Sequence, residues 1–158
     1  VTHDQTEALT FAQKVAVMYE GEIVQVGTPE DLFERPMHTF VGYFIGSPGM
    51  NLMPATVEGA TARIGSHAVN LRAAPKGGGK IELGVRPEYV RIGLEGTPAQ
   101  ITGIEEAGRL RIVRARLEGR DIAAVTPESW EAPAEPRISF DPRGVNLYAD
   151  SWRVETGA

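Results

Sequence analysis

The chain has 158 residues, a formal net charge of −5 and no cysteine. The acidic balance argues against non-specific nucleic-acid binding, which needs a cationic surface, and the lack of cysteine excludes disulfides and thiolate metal sites. No apolar run approaches the roughly 18 residues that a membrane-spanning helix needs, so we expect no direct membrane insertion.

The first 27 residues predict a helix followed by a hairpin. Asp4 is placed to cap a helix at 5–12, and Glu7 lies three residues further on, at the spacing of a capping box. The segments 15–19 and 22–27 predict two strands. The Glu-Gly pair between them suits a tight turn, because glycine adopts positive φ without strain.

Two more helices are predicted before residue 47. Thr28 followed by Pro29 is typical of a helix start, with the threonine as N-cap and the proline in the first turn. That helix must end by Pro36, since proline cannot continue it. The segment 37–46 predicts a third helix, which a Gly-Ser-Pro-Gly run then ends.

From residue 51 onward the pattern changes to short strands between turns, without a useful helical period. This spacing predicts a mainly β fold, a small antiparallel barrel or sandwich. The candidate strands are 53–59, 61–65, 67–72, 80–86, 89–93, 100–105, 109–118, 121–125, 136–140 and 145–149.

The stretch RLRIVRARL (109–117) changes its apolar face between Ile112 and Val113. We expect a β-bulge there, or a strand that serves two cores. Its four arginines divide between the two faces, and no aromatic side chains interleave them as in nucleic-acid-binding OB folds. A solvated or salt-bridged strand is therefore favoured over a nucleic-acid surface. The arginines are Arg109, Arg111, Arg114 and Arg116.

The sequence carries neither a phosphate-binding nor a metal-binding pattern. The Gly-Lys cluster at 76–80 is no P-loop, because Ala74 and Ile81 stand where glycine and Ser or Thr are needed. The glycines at 77–79 predict a flexible hairpin tip. His38 and His67 have no companions at ligand spacing, so no metal site is predicted.

Five segments follow one another along the chain: THDQTEA, VMYEGEIVQVGTPEDLFERP, TFVGYFIGSPGMN, LGVRPEYV and FDPRGVNLY. In this order they resemble the ATP-binding subunits of sugar-importing ABC transporters, of the maltose and glycerol-3-phosphate type. The resemblance implies two parts: residues 1–47 as the incomplete C-terminal end of an α/β nucleotide-binding domain, and residues 48–158 as an OB-like, TOBE-type regulatory domain. It also implies that the chain starts within the strand before the switch histidine.

The resemblance gives His3 the role of the switch (H-loop) histidine. In the complete subunit it would be both the catalytic and the cofactor-binding residue, contacting the γ-phosphate of ATP, with Mg²⁺ as the second cofactor. The Walker A, signature and Walker B motifs are absent from this sequence. We therefore expect this portion alone to bind no cofactor and to hydrolyse no ATP.

The resemblance also implies partners and a location. The complete subunit would form a homodimer, drive transmembrane permease subunits that import a sugar or a sugar- or glycerol-phosphate-like solute, and lie on the inner face of the cell membrane in the cytoplasm. The alternative is a stand-alone TOBE-type module that binds a small ligand or oxyanion. A free sensor would need neither the H-loop nor the segments TPEDLFERP and GSPGMN, so the transporter reading is favoured.

Three smaller expectations concern packing. Arg86-Pro87-Glu88 is interpreted as a structural turn with an Arg–Glu pair, or else as a family signature of the regulatory domain. Trp130 and Trp152 are expected in packing or interface positions. The apolar residues of 1–47 are expected to lie against the β domain or another copy; they are Leu9, Phe11, Val15, Val17, Phe40 and Phe44.

Overall fold

A computed structural model describes residues 1–65, 67–71, 74–75 and 79–154. We call residues 1–47 the N-terminal segment and residues 51–153 the β region. In chain order the elements are α1 Gln5–Phe11, β1 Val15–Tyr19, β2 Glu22–Gly27, α2 Pro29–Glu34, α3 Thr39–Phe44, β3 Asn51–Pro54, β4 Thr56–Glu58, β5 Thr61–Ile64, β6 His67–Asn70, β7 Ile81–Val85, β8 Val90–Gly93, β9 Thr97–Pro98, β10 Gln100–Ala107, β11 Leu110–Leu117, β12 Arg120–Pro127, β13 Arg137–Phe140, β14 Val145–Ala149 and β15 Trp152–Arg153.

The start of α1 confirms the predicted cap but not the capping box. The Asp4 carboxylate accepts hydrogen bonds from the backbone N–H of Thr6 at 2.9 Å and of Glu7 at 3.3 Å. The Glu7 carboxylate accepts from the Thr2 hydroxyl at 3.1 Å, and the backbone N–H of Asp4 also donates to that hydroxyl. The Glu7 carboxylate therefore bonds to the Thr2 hydroxyl, whereas in a capping box it would accept from the backbone N–H of Asp4. The helix ends one residue earlier than predicted.

The rest of the N-terminal segment follows the predicted turn and cap chemistry. Glu20 and Gly21 adopt positive φ values of 51° and 80°, which closes the hairpin of β1 and β2. Thr28 caps α2 in a full capping box with Asp31, and Pro29 lies in its first turn. α3 is shorter than the predicted 37–46, because its N-cap is His38.

The N-terminal segment has a small core of its own. Partly buried apolar side chains surround it, among them Leu9, Phe40 and Phe44. Phe11 does not join them and is 83% exposed, because α1 buries none of its residues. The expected packing of these apolar faces against the β domain is therefore wrong, because those that are buried or partly buried pack on one another. Packing against another copy stays a prediction. The buried members of this core are Val17, Val24, Leu32, Val41 and Ile45.

The β region is built of short antiparallel sheets, which confirms the mainly β prediction. Its sheets have the strand orders β4-β5-β6, β15-β14-β7-β3, β8-β13-β9 and β10-β11-β12. The sheets in the described ranges share one core but do not close into a single barrel, so the arrangement is closer to a sandwich. Its buried members include Met53, Ile64, Leu83, Val85, Val90, Val113, Leu117, Ile122, Ile138 and Leu147.

Several strand bounds differ from the predicted ones. The predicted strand 53–59 is interrupted at Ala55. The strands β9 and β15 were not predicted, because two residues carry no readable alternation. Short 3₁₀ turns at Pro87–Tyr89 and Pro142–Gly144 precede β8 and β14. The end of the predicted strand 67–72 and the glycines at 77 and 78 lie outside the described residues.

Of the two alternatives for residues 109–117, the β-bulge between Ile112 and Val113 is wrong, because the bulge lies in the neighbouring strand β10. β11 pairs with β12 in continuous register from Leu110 to Leu117. The register shift lies in β10, where Thr102 is the extra residue between Ile101 and Gly103. The apolar phase changes in β11 because its first residues carry apolar side chains on the outer face; Leu110 is 48% exposed.

Candidate functional site

His3 is exposed and lies directly before the capped start of α1. The residues on either side of it are held in place: Thr2 and Asp4 form the capping hydrogen bonds described above. The backbone at His3 is thus positioned by its neighbours, while its imidazole faces solvent. A group placed in this way can reach a ligand brought to it by another part of a protein.

Gln5, the first residue of α1, joins this turn to the end of α3. Its side-chain oxygen Oε1 accepts a hydrogen bond from the backbone N–H of Gly46 at 2.9 Å. Gly46 has a φ of +106°, and a Cβ at that position would lie 2.8 Å from the Arg86 Nη1 atom. A glycine is therefore required here for both its backbone conformation and the close approach of Arg86.

Arg86 connects the β region to the N-terminal segment. It follows the buried strand β7, is 2% exposed and places its guanidinium at the C-terminal ends of α2 and α3. The guanidinium lies 4.1 Å from the centre of the Phe33 ring. It donates to four backbone carbonyl oxygens, those of Leu32 (3.3 Å), Phe33 (2.7 Å), Gly42 (3.2 Å) and Ile45 (2.5 Å).

This geometry corrects the interpretation of Arg86-Pro87-Glu88. No Arg86–Glu88 ion pair occurs among the ion pairs of the described ranges, and the partners of Arg86 are backbone carbonyls at the helix ends. The Gly42 carbonyl also accepts from the backbone N–H of Met50 at 2.9 Å. Burial lowers the pKa of Arg86, an effect that the nearby Glu88 charge partly offsets. The sequence carries one signal for this role: Arg86 directly follows the largely apolar strand IELGV, which favours its burial, and a buried guanidinium needs several acceptors.

Two more contacts hold the same junction. The buried Tyr148 hydroxyl donates to the Pro36 carbonyl oxygen at 2.8 Å, and burial raises the pKa of this phenol. The chain around β15 runs beside the start of α3. There the backbone N–H of Thr39 donates to the Ser151 carbonyl at 2.9 Å, and that of Arg153 donates to the Met37 carbonyl at 2.8 Å.

His38 is a structural residue in this junction. Its Nδ1 accepts from the backbone N–H of Phe40 at 3.0 Å, which caps α3. Its ring lies between Tyr19, at 5.2 Å, and Trp152, at 4.8 Å between ring centres. Burial lowers the pKa of His38, and the charge of Glu20 opposes this shift.

His67 is partly buried and packs against the core of the β region. Its Nδ1 lies 3.0 Å from the Thr97 hydroxyl, and its ring meets that of Phe140 edge-on. Burial lowers the pKa of His67. Within the described ranges, no group of three or more His, Asp or Glu side chains is arranged to hold a metal ion.

The arginine-rich strand β11 carries ion pairs, as the salt-bridged interpretation predicted. Arg111 pairs with Glu106 at 2.9 Å, and Arg116 pairs with Asp121 at 3.5 Å. Arg114 lies 3.9 Å from Glu105. These contacts leave the strand without an unbalanced cationic stripe.

The two tryptophans occupy packing positions. Trp130 packs against the core of the β region and donates from Nε1 to the Ile92 carbonyl at 3.1 Å. Trp152 packs edge-on against His38.

Each helix that the structure describes is too short to cross a lipid bilayer.

Comparison with known proteins gives consistent relatives. The family model of the MalK OB-fold domain matches residues 46–90. The chain is 39% identical to the sn-glycerol-3-phosphate import ATP-binding protein UgpC 1 of Rhizobium johnstonii over 166 aligned residues, 98% of this chain and 45% of that protein. It is 37% identical to the uncharacterized ABC transporter ATP-binding protein y4oS of Sinorhizobium fredii over 149 residues, 90% of this chain and 40% of that protein.

A third relative is the sn-glycerol-3-phosphate import ATP-binding protein UgpC of Bordetella avium, 42% identical over 122 residues, 73% of this chain and 34% of that protein. The chain spans less than half the length of these curated relatives. The ordered motifs, the helical segment joined to a β region and the matches over most of the chain agree with one another. Over most of its length the chain is similar to carbohydrate-type ABC transporter ATP-binding subunits, which supports its being a C-terminal portion of such a subunit, with an OB-fold domain of the MalK type.

Proposed function

We propose that this chain is part of the ATP-hydrolysing subunit of an ABC importer, with His3 as the switch histidine. The observation that carries the proposal is the placement of His3: an exposed imidazole on a turn fixed by Thr2 and Asp4 and continued by α1. Two relatives are named as import ATP-binding proteins for sn-glycerol-3-phosphate. By analogy, the solute is a sugar or a sugar- or glycerol-phosphate-like molecule.

His3 would act by positioning and electrostatics, which dominate phosphoryl transfer. An imidazole N–H donates a hydrogen bond to a γ-phosphate oxygen and helps to orient the attacking water in line. ATP is then held by parts of the complete subunit outside this chain. Mg²⁺, when bound, neutralises phosphate charge, and we assign its ligands to those outside parts as well.

The partners follow from the same proposal. A second copy of the subunit would complete the nucleotide sites, and transmembrane permease subunits would receive the motion that hydrolysis drives. The subunit would lie at the cytoplasmic face of the cell membrane. The OB-fold domain is then a regulatory domain, attached to the ATPase part through the junction at Arg86.

Substitution of His3 in a complete subunit tests this proposal. We expect His3→Ala to lower kcat for ATP hydrolysis by about 100-fold or more, the range for a lost group that positions protons and water, with ATP affinity nearly unchanged. His67→Gln, a change at a partly buried histidine of the β region, is the matched control and should retain kcat. Wild-type turnover by His3→Ala would contradict the assignment of His3 as the switch histidine.

A further inference from the structure

The end of α3 contains a peptide group that is hydrogen-bonded from both sides. The Ile45 carbonyl oxygen accepts from the Arg86 guanidinium, and the Gly46 N–H of the same peptide group donates to Gln5 Oε1. A peptide group is planar, so its two ends move together. Displacement of Arg86 therefore acts on Gln5 through a single rigid unit.

The bond to Gly46 also matters because α1 has little else to stabilise it. The helix has seven residues and buries none of them, and helices shorter than roughly 12 residues are marginal in water without tertiary contacts. The side chain of Leu9 packs only partly against the small core. The Asp4 cap involves only neighbouring residues, so it does not fix the position of α1 relative to the β region. The hydrogen bond from Gly46 to Gln5 does.

Because His3 and Gln5 are close in the chain, a hydrogen bond at Gln5 also affects the position of His3. His3 stands two residues before Gln5, on the turn that Thr2 and Asp4 hold. We propose that Gln5 is a positioning residue for His3, and that the Ile45–Gly46 peptide group transmits the position of Arg86, and hence of the β region, to the His3 turn. The proposal rests on the function proposed above, since His3 matters only if it meets a nucleotide. It gives the regulatory domain a defined path to the ATPase site.

The first test uses isotope-labelled chain and needs no nucleotide. Gln5→Leu removes the acceptor but keeps a good helix former, while Gln5→Glu keeps an acceptor at the same place. We expect the ¹³Cα secondary shifts of α1 to fall by about half or more in Gln5→Leu and to persist in Gln5→Glu. The amide proton of Gly46 should move upfield in the leucine variant alone. Unchanged shifts in Gln5→Leu would overturn the proposal.

A double-mutant cycle tests the path to Arg86. Arg86→Lys keeps the charge but cannot serve four carbonyls, so it should reduce the helical shifts of α1 when Gln5 is present. In the Gln5→Leu background it should have no further effect on α1, because the connection is already broken. Equal effects of Arg86→Lys in the two backgrounds would show that Arg86 reaches α1 by another route and would overturn the inference. Should Arg86→Lys fail to fold, the Gln5 pair still decides the positioning role.

The kinetics of ATP hydrolysis by the complete subunit distinguish a positioning role of Gln5 from a purely structural one. Gln5→Leu should lower kcat for ATP hydrolysis about 5-fold or more with KM within about 2-fold, and Gln5→Glu should restore kcat. An unchanged kcat in Gln5→Leu would contradict the positioning role. The outcomes also separate the two proposals: an active His3→Ala enzyme refutes the function of His3, whereas unchanged α1 shifts in the chain refute the link through Gln5.

Discussion

The Arg86 side chain donates hydrogen bonds to backbone carbonyls at the ends of α2 and α3, as backbone N–H groups do inside a helix. The last carbonyls of a helix have no partner within it, and here one buried guanidinium serves those of α2 and α3 together. A charged donor of this kind suits burial because its hydrogen bonds are strong and its planar fork reaches several acceptors. The β region thus attaches to the N-terminal segment through a polar contact at its centre.

Replacement of Arg86 should therefore be costly. We expect Arg86→Met to lower the free energy of unfolding by about 3 kcal/mol or more, because it leaves several buried carbonyl oxygens without donors. The control is Arg91→Met: the Arg91 side chain is 66% exposed and pairs with Asp141 at 2.9 Å, so its loss should cost at most about 1 kcal/mol. Urea denaturation of both variants measures the difference, and equal losses would refute the assignment.

At the scale of elements, caps decide where the short helices begin. α3 starts at His38 because a neutral imidazole nitrogen accepts the N–H of Phe40. Protonated histidine has no acceptor, so the cap exists only in the neutral form. Burial of His38 favours the same neutral form and lowers its pKa.

Stability should therefore fall as pH drops below about 6.5, the ordinary pKa of histidine. The unfolded chain takes up a proton in that range and the folded chain does not, which favours unfolding. His38→Asn keeps a good N-cap that does not titrate and should reduce the slope of the unfolding free energy between about pH 7 and pH 5, by at most ~1.4 kcal/mol per pH unit. Urea titrations at several pH values measure that slope.

His67 provides an internal comparison for this measurement. Burial lowers its pKa too, so the His38→Asn/His67→Gln double variant should be flatter than either single variant. A His38→Asn slope identical to that of the wild type would contradict the cap mechanism.

The sequence predicted those elements whose signals are local. Thr28 and Pro29 marked the start of α2, and the alternating residues 113–117 marked most of β11 within the predicted strand 109–118, because caps and strand periodicity depend on near neighbours. The bulge at Thr102 was missed because it depends on how β10 pairs with β11, a non-local property.

The sequence predicted the histidine of the candidate site but not the long-range contacts around it. His3 emerged from a motif and lies on an exposed turn. The contacts of Gln5 and Tyr148 were not foreseen, since they join residues 41 and 112 positions apart. Two-residue strands such as β15 carry no periodic signal at all, although the chain around β15 bonds to Met37 and Thr39.

At the scale of the molecule, two cores are joined by polar contacts. The small core of the N-terminal segment and the larger core of the β region are separate clusters. Arg86, Tyr148 and the chain around β15 connect them by hydrogen bonds. Such a junction is directional, so it fixes the orientation of the β region relative to His3. Under the proposed function, this orientation would let the β region act as a regulatory domain on the ATPase site.

The central claim is that His3 serves nucleotide chemistry only with the rest of a complete subunit around it. Titration of the isotope-labelled 158-residue chain with MgATP, followed by the imidazole resonances of His3 and by phosphate release, tests this most directly. For the chain alone, the account predicts no saturable shift of the His3 resonances and no ATP turnover. For the complete subunit, it predicts a saturable shift and ATP turnover. Saturable binding at micromolar ATP with phosphate release by the chain alone would contradict it.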